Sequence, residues 1–446
     1  MVLKRINIPM ENTHYSFIND GVQESEQTLA IEKPFWVFLG GNTGIATWLI
    51  GVLVAGMGLD FVDAMFVIVF GSLVGSALPA VTSVIGPKTG LSQIEASRFA
   101  LGASGKRLPA FLNWLNAIGW DVINNVISAT AFVVLLAHYN ITVPMWLALA
   151  ILVVLQLVIG VYGHHLIQTT GKYTGSLLAV FFIIIGFVSI DKVGLPSALE
   201  TSTGSSNLVS AFILLSAYNL GWTTCTSDYT RYLPNSTPHS KVFLLTFMAL
   251  FLSLTILAIF GYMTASAFAT HTPEGVMMGL QKLSGSYAPI VLLVIWFTAI
   301  PANAMNDNSA AYTLISFGFK FSRPTSAILG AVIGYVISLF ASQSFVEFFE
   351  DFLFLFAHWV TPWAAIVLVH WFVYGRHSRY TPKGFTTGFF IMLLVSAISV
   401  ALFSVNPLYT GVAAQLIDDL DVGPYISFVL VSLIYYLLLR LRIIRA

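Results

Sequence analysis

Within NWLNAIGWDVINN, residues 113–125, four asparagines, two tryptophans and an aspartate fall in thirteen positions of an otherwise apolar chain. These types suit one chemistry. An indole offers a π-face to a flat ring, and amides can read that ring's N–H and C=O groups. A carboxylate held in hydrocarbon can carry a proton. At about 100° per residue, with Asn113 at zero, Asn116 falls at about −60°, Trp120 at about −20° and Asn124 at about +20°. Asp121 and Asn125 stand on the shoulder of this stripe, at about +80° and about +120°. Leu112, Leu115, Ile118, Val122 and Val126 fill the opposite arc.

The stretch WFTAIPANAMNDNSAAY, 296–312, repeats the pattern: from Asn303, Asn306 lies at about −60° and Asp307 at about +40°. Pro301 removes a backbone donor, so a bend is expected there. In SAYNLGWTTCTSDYTRY, 216–232, Asn219, Trp222 and Thr223 share an arc beside Gly221. Gly40, Gly41, Asn42, Thr43 and Gly44 are five consecutive poor helix formers. Helices broken at these two places would free backbone groups for a cation and for substrate oxygens. Asn125, Asn308 and Thr224 read as contacts between helices, and Trp36 and Trp363 as anchors at a membrane interface. Of the 20 carboxylates, Asp121 and Asp307 are the two expected deep in hydrocarbon, with no lysine or arginine at that depth.

The elements that must position these residues are membrane helices. Hydrophobic residues make up 57% of the 446 residues and charged residues 9%, with a mean hydropathy of +0.84. A soluble domain is nearer a quarter charged. Twelve hydrophobic segments are expected, near 35–58, 62–86, 107–137, 142–162, 173–190, 208–228, 242–268, 287–318, 324–343, 347–374, 384–405 and 422–440. With the N-terminus cytoplasmic, all but Lys192 and Lys282 of the 20 lysines and arginines fall on the inside, while Asp60, Asp63, Glu347, Glu350, Asp351, Asp418, Asp419 and Asp421 fall outside. Both termini are therefore expected in the cytoplasm. Residues 1–34 are a polar cytoplasmic tail without the apolar core of a signal peptide.

The single cysteine, Cys225, excludes an internal disulfide or thiolate cluster. No GxxxxGK loop is present for ATP, no HExxH-like spacing for an intramembrane metalloenzyme, and no basic patch for nucleic acid. A channel would need a repeated pore motif or charged ring. A secondary transporter is favoured, with a channel or an intramembrane enzyme as the lesser alternative, and no enzyme activity, metal or cofactor is expected.

The run IGPKTGLSQIEASRFALGASGKRLPAFLNWLNAIGW, together with TSDYTRY and NDN, resembles the nucleobase–cation symporter family of cytosine, purine, allantoin and hydantoin permeases. The resemblance covers about residues 25 to 440. It implies an all-α membrane protein of twelve transmembrane helices in a five-plus-five inverted-repeat fold. The ten-helix transport core would occupy 35–375, and two accessory helices with a short cytoplasmic C-terminus would occupy 376–446. It implies a plasma-membrane importer of a nucleobase by cation symport, with another flat N-heterocycle (allantoin, a hydantoin, a thiamine-precursor pyrimidine) as the alternative. By the same resemblance Trp120 stacks on the substrate ring, Asn124 and Trp222 join it, and Asn219, Gly221, Asn303 and Asn306 complete the substrate site. Gly41 and Ile45 match positions whose carbonyls hold sodium in sodium-coupled members. The Ser/Thr pair that completes that ion site is here Ala304 and Met305, which offer no side-chain oxygen. Proton coupling through Asp121 and Asp307 is therefore favoured over sodium.

Overall fold

The computed structural model describes residues 21–162, 164–194, 205–318, 323–375, 381–406 and 408–444. Most of the described chain is helical. A helix, whole or broken, lies over each hydrophobic segment read from the sequence: α1 Lys33–Asn42 and α2 Ile45–Gly56, α3 Phe61–Thr82, α4 Arg107–His138, α5 Met145–Tyr162, α6 His164–Val193, α7 Ser205–Leu220 with α8 Thr226–Thr230, α9 His239–Thr264, α10 Pro273–Ser284 (between segments), α11 Ala288–Phe317, α12 Arg323–Ala341, α13 Phe345–Val369, α14 Thr387–Phe403 and α15 Gly423–Arg440. Short helical turns at Ile85–Thr89, Gln93–Ala96 and Arg98–Gly105 join α3 to α4. Residues 1–20 of the expected tail lie outside the described residues, as do Lys320, Arg376, Arg379 and Arg445 of the charges that orient the chain.

Among the described residues six helices are long and apolar enough to cross a membrane, or seven if the bent pair α1–α2 is one span. Shorter apolar helices cover Met145–Val158, Thr325–Ala341 and Thr387–Phe403. Seventeen residues reach roughly 25 Å, a little under the hydrocarbon thickness, which separates these from the longer set. Large apolar side chains such as Val154, Phe187, Ile290, Phe340 and Leu394 face outward and exposed, as lipid requires.

Local chemistry sets the ends. Asp60 caps α3 by accepting from the Asp63 amide at 2.8 Å, and Thr272 and Thr386 cap α10 and α14 in the same way. The first segment bends by 52° between α1 and α2. Gly40, Gly41 and Asn42 stay helical, so the unwinding is confined to Thr43 and Gly44 rather than all five residues. Thr43 Oγ1 donates to the Leu39 carbonyl at 2.6 Å and Thr47 Oγ1 to the Asn42 carbonyl, which satisfies acceptors the break would orphan. α11 runs unbroken through Pro301.

α2 packs on α9, α7 on α3, and α4 on α11 along most of its length; α5 and α12 flank the α4–α11 pair. The α2–α9 crossing depends on two glycines. A Cβ on Gly51 would sit 1.9 Å from the Ala258 carbonyl oxygen, and one on Gly261 would sit 1.9 Å from that of Trp48. Gly51→Leu is therefore expected to exceed the roughly 1–3 kcal/mol of ordinary overpacking. Its readout is loss of the monodisperse peak in detergent size-exclusion chromatography; a normal peak with unchanged melting would refute the close crossing.

α13 packs against α14 and α15. Its buried His358 joins α14 to the segment just before α15: Nδ1 lies 2.8 Å from Ser399 Oγ and Nε2 lies 2.9 Å from Asp421 Oδ2. This cover also corrects one expectation. Trp363 is fully buried within the α13–α14–α15 contact rather than at an interface, whereas Trp36 is exposed as an anchor would be.

Candidate functional site

The two broken segments meet at Asn42. Its Nδ2 donates to Asn219 Oδ1 at 3.0 Å and Ser253 Oγ at 2.9 Å, while its Oδ1 accepts from the Trp222 indole N–H at 3.0 Å. Asn219 is fully buried. Its Nδ2 donates to Ser76 Oγ at 2.9 Å and the Leu250 carbonyl at 3.2 Å. One amide thus ties α1 to α7, α9 and the turn Gly221–Thr224, and fixes the edge of Trp222. Asn219 acts inside this knot, with both amide ends engaged.

The two indoles are placed by glycines. A Cβ on Gly221 would lie 3.0 Å from Trp120 Nε1 and Cζ2, so the Trp120 ring rests on the bare backbone of the second break. A Cβ on Gly41 would lie 2.8 Å from Trp222 Cη2 and 2.9 Å from Met305 Cε. Trp120 meets Tyr218 and Phe352 edge-on, with centroids 5.2 and 5.6 Å away, and Phe349 at 6.3 Å. Tyr218 and Phe349 are buried, whereas Trp120, Trp222, Gly41 and Gly221 are half-buried.

Between α4 and α11 runs a ladder of amides. Asn124 Nδ2 donates to Asn303 Oδ1 at 2.9 Å. Asn303 Nδ2 donates to Asn125 Oδ1 at 3.0 Å, and Gln156 of α5 donates to that same oxygen at 2.8 Å. One turn away, Asn306 Nδ2 donates to Asp121 Oδ1 at 2.9 Å. Asp307 is the like-charged neighbour of Asp121. The helical stripes read from the sequence therefore face each other and bring Asp121, Asn124, Asn303 and Asn306 into one interface, while Trp120 turns toward α7 and α13. Ile45 is buried at the first position of α2, close to the break.

The loop joining α3 to α4 is bonded to the segment that follows α7. Gln93 N donates to Asp228 Oδ1 at 2.9 Å, and Gln93 Oε1 accepts from Thr226 Oγ1, Ser227 N and Ser227 Oγ. Ser309 Oγ of α11 donates to Asp228 Oδ2 at 3.2 Å. Two residues on, the fully buried Glu95 accepts from Lys106 Nζ on both oxygens at 2.6 Å, from Arg98 at 2.7 Å and from Ser316 of α11 at 2.7 Å. The residues that carried the resemblance, SQIEAS and TSDYTRY, are thus bonded to each other.

Asn42, Gln93, Glu95 and Gln156 are additions to the site as read from sequence. Asn42 was visible as the lone amide within the glycine string, and Gln156 as the lone amide of an apolar segment. Gln93 and Glu95 carried no periodic signal. Among the described residues no cluster of three or more His, Cys, Asp or Glu could hold a metal.

Comparison with known proteins matches this arrangement. Residues 21–381 fit the family described as permease for cytosine/purines, uracil, thiamine, allantoin. The vitamin B6 transporter of Saccharomyces cerevisiae is 25% identical over 76% of the chain, which spans 61% of that longer protein. The purine-cytosine permease of Emericella nidulans is 25% identical over 90% of this chain and 83% of its own. The fold matches the inward-facing conformation of Mhp1 with a TM-score of 0.77 at 16% identity, over 95% of this chain and 92% of that one. A closed conformation of Mhp1, a nucleobase-cation-symport-1 family transporter with bromovinylhydantoin bound, matches with a TM-score of 0.75. The family match over residues 21–381 places this chain in the nucleobase–cation symporter family, as a multi-pass membrane permease rather than an enzyme.

Proposed function

We propose that the chain is a plasma-membrane importer of a nucleobase, cytosine or a purine, coupled to protons and working by alternating access. The observation that carries this reading is the pair of indoles at the two breaks, beside an amide ladder. Trp120 and Trp222 take the faces of a flat ring, Asn124 and Asn306 with the backbone at Gly221 read its edge, and the buried Asn303, with both amide ends engaged, holds Asn124. Asn219 serves the site from behind, through Asn42.

Proton coupling is supported by what stands next to Gly41. The Met305 side chain packs against Gly41, and neither Met305 nor Ala304 offers a side-chain oxygen to a cation there. Asp121 and Asp307 are the coupling candidates, with Gly41 and Ile45 left as backbone positions of the break. Twelve spans in two inverted five-helix repeats are supported by the packing: α2 on α9 mirrors α7 on α3, and α12 on α4 mirrors α5 on α11. Cytoplasmic termini follow from the charge distribution. A second reading, another flat N-heterocycle, is favoured by the vitamin B6 transporter among the relatives.

Uptake into proteoliposomes tests both readings. Labelled cytosine, adenine, hypoxanthine and pyridoxine are offered under an inward proton gradient, an inward sodium gradient, or neither. Saturable uptake of a nucleobase that collapses with a protonophore is expected. Uptake that needs sodium and survives the protonophore would refute proton coupling. Uptake of pyridoxine alone would replace the substrate.

A further inference from the structure

We infer that the protonation of Asp121 sets which end of the Asn306 amide is offered to the substrate, so that the proton and an amidine- or lactam-edged ring bind together. The inference rests on the importer reading above and deepens it to a coupling device.

The geometry begins with the uncommitted ends of the ladder. Asn124 spends its Nδ2 on Asn303 and Asn306 spends its Nδ2 on Asp121 Oδ1. Both side chains are half-buried, and the bonds described for each engage the nitrogen end, leaving the carbonyl oxygen turned away from its partner. The two rungs, Asn124–Asn303 and Asp121–Asn306, are spaced by three residues on each helix, about one helical turn. Asn124 is held in this sense from behind. Asn303 must give its own Nδ2 to Asn125 Oδ1, which Gln156 also approaches as a donor, so Asn303 has only its oxygen to offer Asn124.

Asn306 has no such constraint beyond Asp121. An ionised carboxylate only accepts, so it draws the Asn306 NH2 and leaves the site with two acceptors. A proton from outside water that forms an O–H bond on Asp121 Oδ1 turns that oxygen into a donor. Asn306 then accepts with its Oδ1 and turns its NH2 outward. The site now presents one acceptor, from Asn124, and one donor, from Asn306. The amidine edge of cytosine or adenine, and the lactam edge of uracil or hypoxanthine, each carry one donor next to one acceptor. They match the protonated site and leave an unpaired oxygen in the ionised one. An unpaired buried polar group is what makes such a mismatch costly.

Asp307 of α11 is the charged group that acts on Asp121. The other elements packed on α4 contribute Tyr218, whose hydroxyl is engaged by Thr47 at 2.7 Å, from α7 across the Trp120 ring. α13 contributes Glu347, Glu350 and Asp351 in its first two turns, α10 contributes Glu274 and Lys282, the turn after the α3 loop contributes Arg98, and α12 begins with Arg323. α2 and α5 carry no charged residue.

The test is equilibrium binding of labelled cytosine and adenine to the purified full chain in detergent, from acid to alkaline pH. Wild-type affinity is expected to fall about tenfold per pH unit above a midpoint, as one linked proton requires. Asp121→Asn, whose amide can donate to Asn306 as a protonated carboxyl would, is expected to hold the acid-side affinity at every pH. Asp121→Glu is expected to restore the slope. Asn306→Leu is expected to bind at least tenfold more weakly and without a slope. A wild-type slope in Asp121→Asn, or in Asn306→Leu if the first variant does not fold, overturns the switch and leaves the importer reading standing. Failure of the wild type to bind either base at any pH overturns the importer reading and the switch with it.

Discussion

Glu95→Ala is expected to be the most damaging single change in the α3–α4 loop. The carboxylate is fully buried and receives Lys106 on both oxygens, Arg98 and the Ser316 hydroxyl. Alanine removes all four contacts and leaves cationic groups in a nearly closed space. Breaking a buried ion pair from one side costs about 3–5 kcal/mol, because the remaining charge keeps its desolvation penalty without its partner. The melting temperature in detergent should fall by several degrees, and surface expression should fall with it. Glu95→Gln keeps an acceptor for Ser316 and should lie between alanine and wild type. An unchanged melting temperature for Glu95→Ala would show that the cluster is not what holds this loop.

Trp120→Ala should remove most substrate affinity while leaving the fold intact. Stacking of a base on an aromatic side chain contributes about 1–3 kcal/mol by alanine substitution, roughly 5- to 150-fold in Kd. Trp120 is half-buried, so part of its ring is open to a ligand. Trp120→Phe keeps a smaller π-face and should recover part of the loss. Binding of the transported base, measured beside the melting temperature, separates the two effects. Unchanged affinity in the alanine variant would remove Trp120 from the site.

What was legible in the chain followed from periodicity. The stripes of α4 and α11 could be read because a helix repeats its faces, and the structure presses those faces together through Asn124–Asn303 and Asp121–Asn306. The breaks beside Gly41 and Gly221 were legible because glycine is a poor helix former. Their lengths were not. Thr43 and Thr47 satisfy local carbonyls and keep Gly40 to Asn42 helical. Asn219 reads as a substrate contact from its arc with Trp222 and Thr223 and from the family resemblance. Its actual partners, Asn42 and Ser76, are 177 and 143 residues distant and invisible to a helical wheel. Trp363 misled for a related reason: aromatic residues near segment ends usually anchor an interface, but here α14 and α15 cover the helix. Glu95 lay in plain sight within a loop, where burial leaves no pattern.

The same glutamate carries a consequence for how the chain is made. Its cationic partners, Arg98 and Lys106, follow within eleven residues, so its charge can be neutralised as soon as the α3–α4 loop leaves the ribosome. Ser316 follows 221 residues later, and Asp228, which holds the neighbouring Gln93, 135 residues later. At the usual pace of synthesis Glu95 waits roughly 10–45 s for Ser316. A nascent chain stalled before α11 would carry a locally paired loop with its final lock open, and the arrival of Ser309 and Ser316 would fasten that loop in one late step.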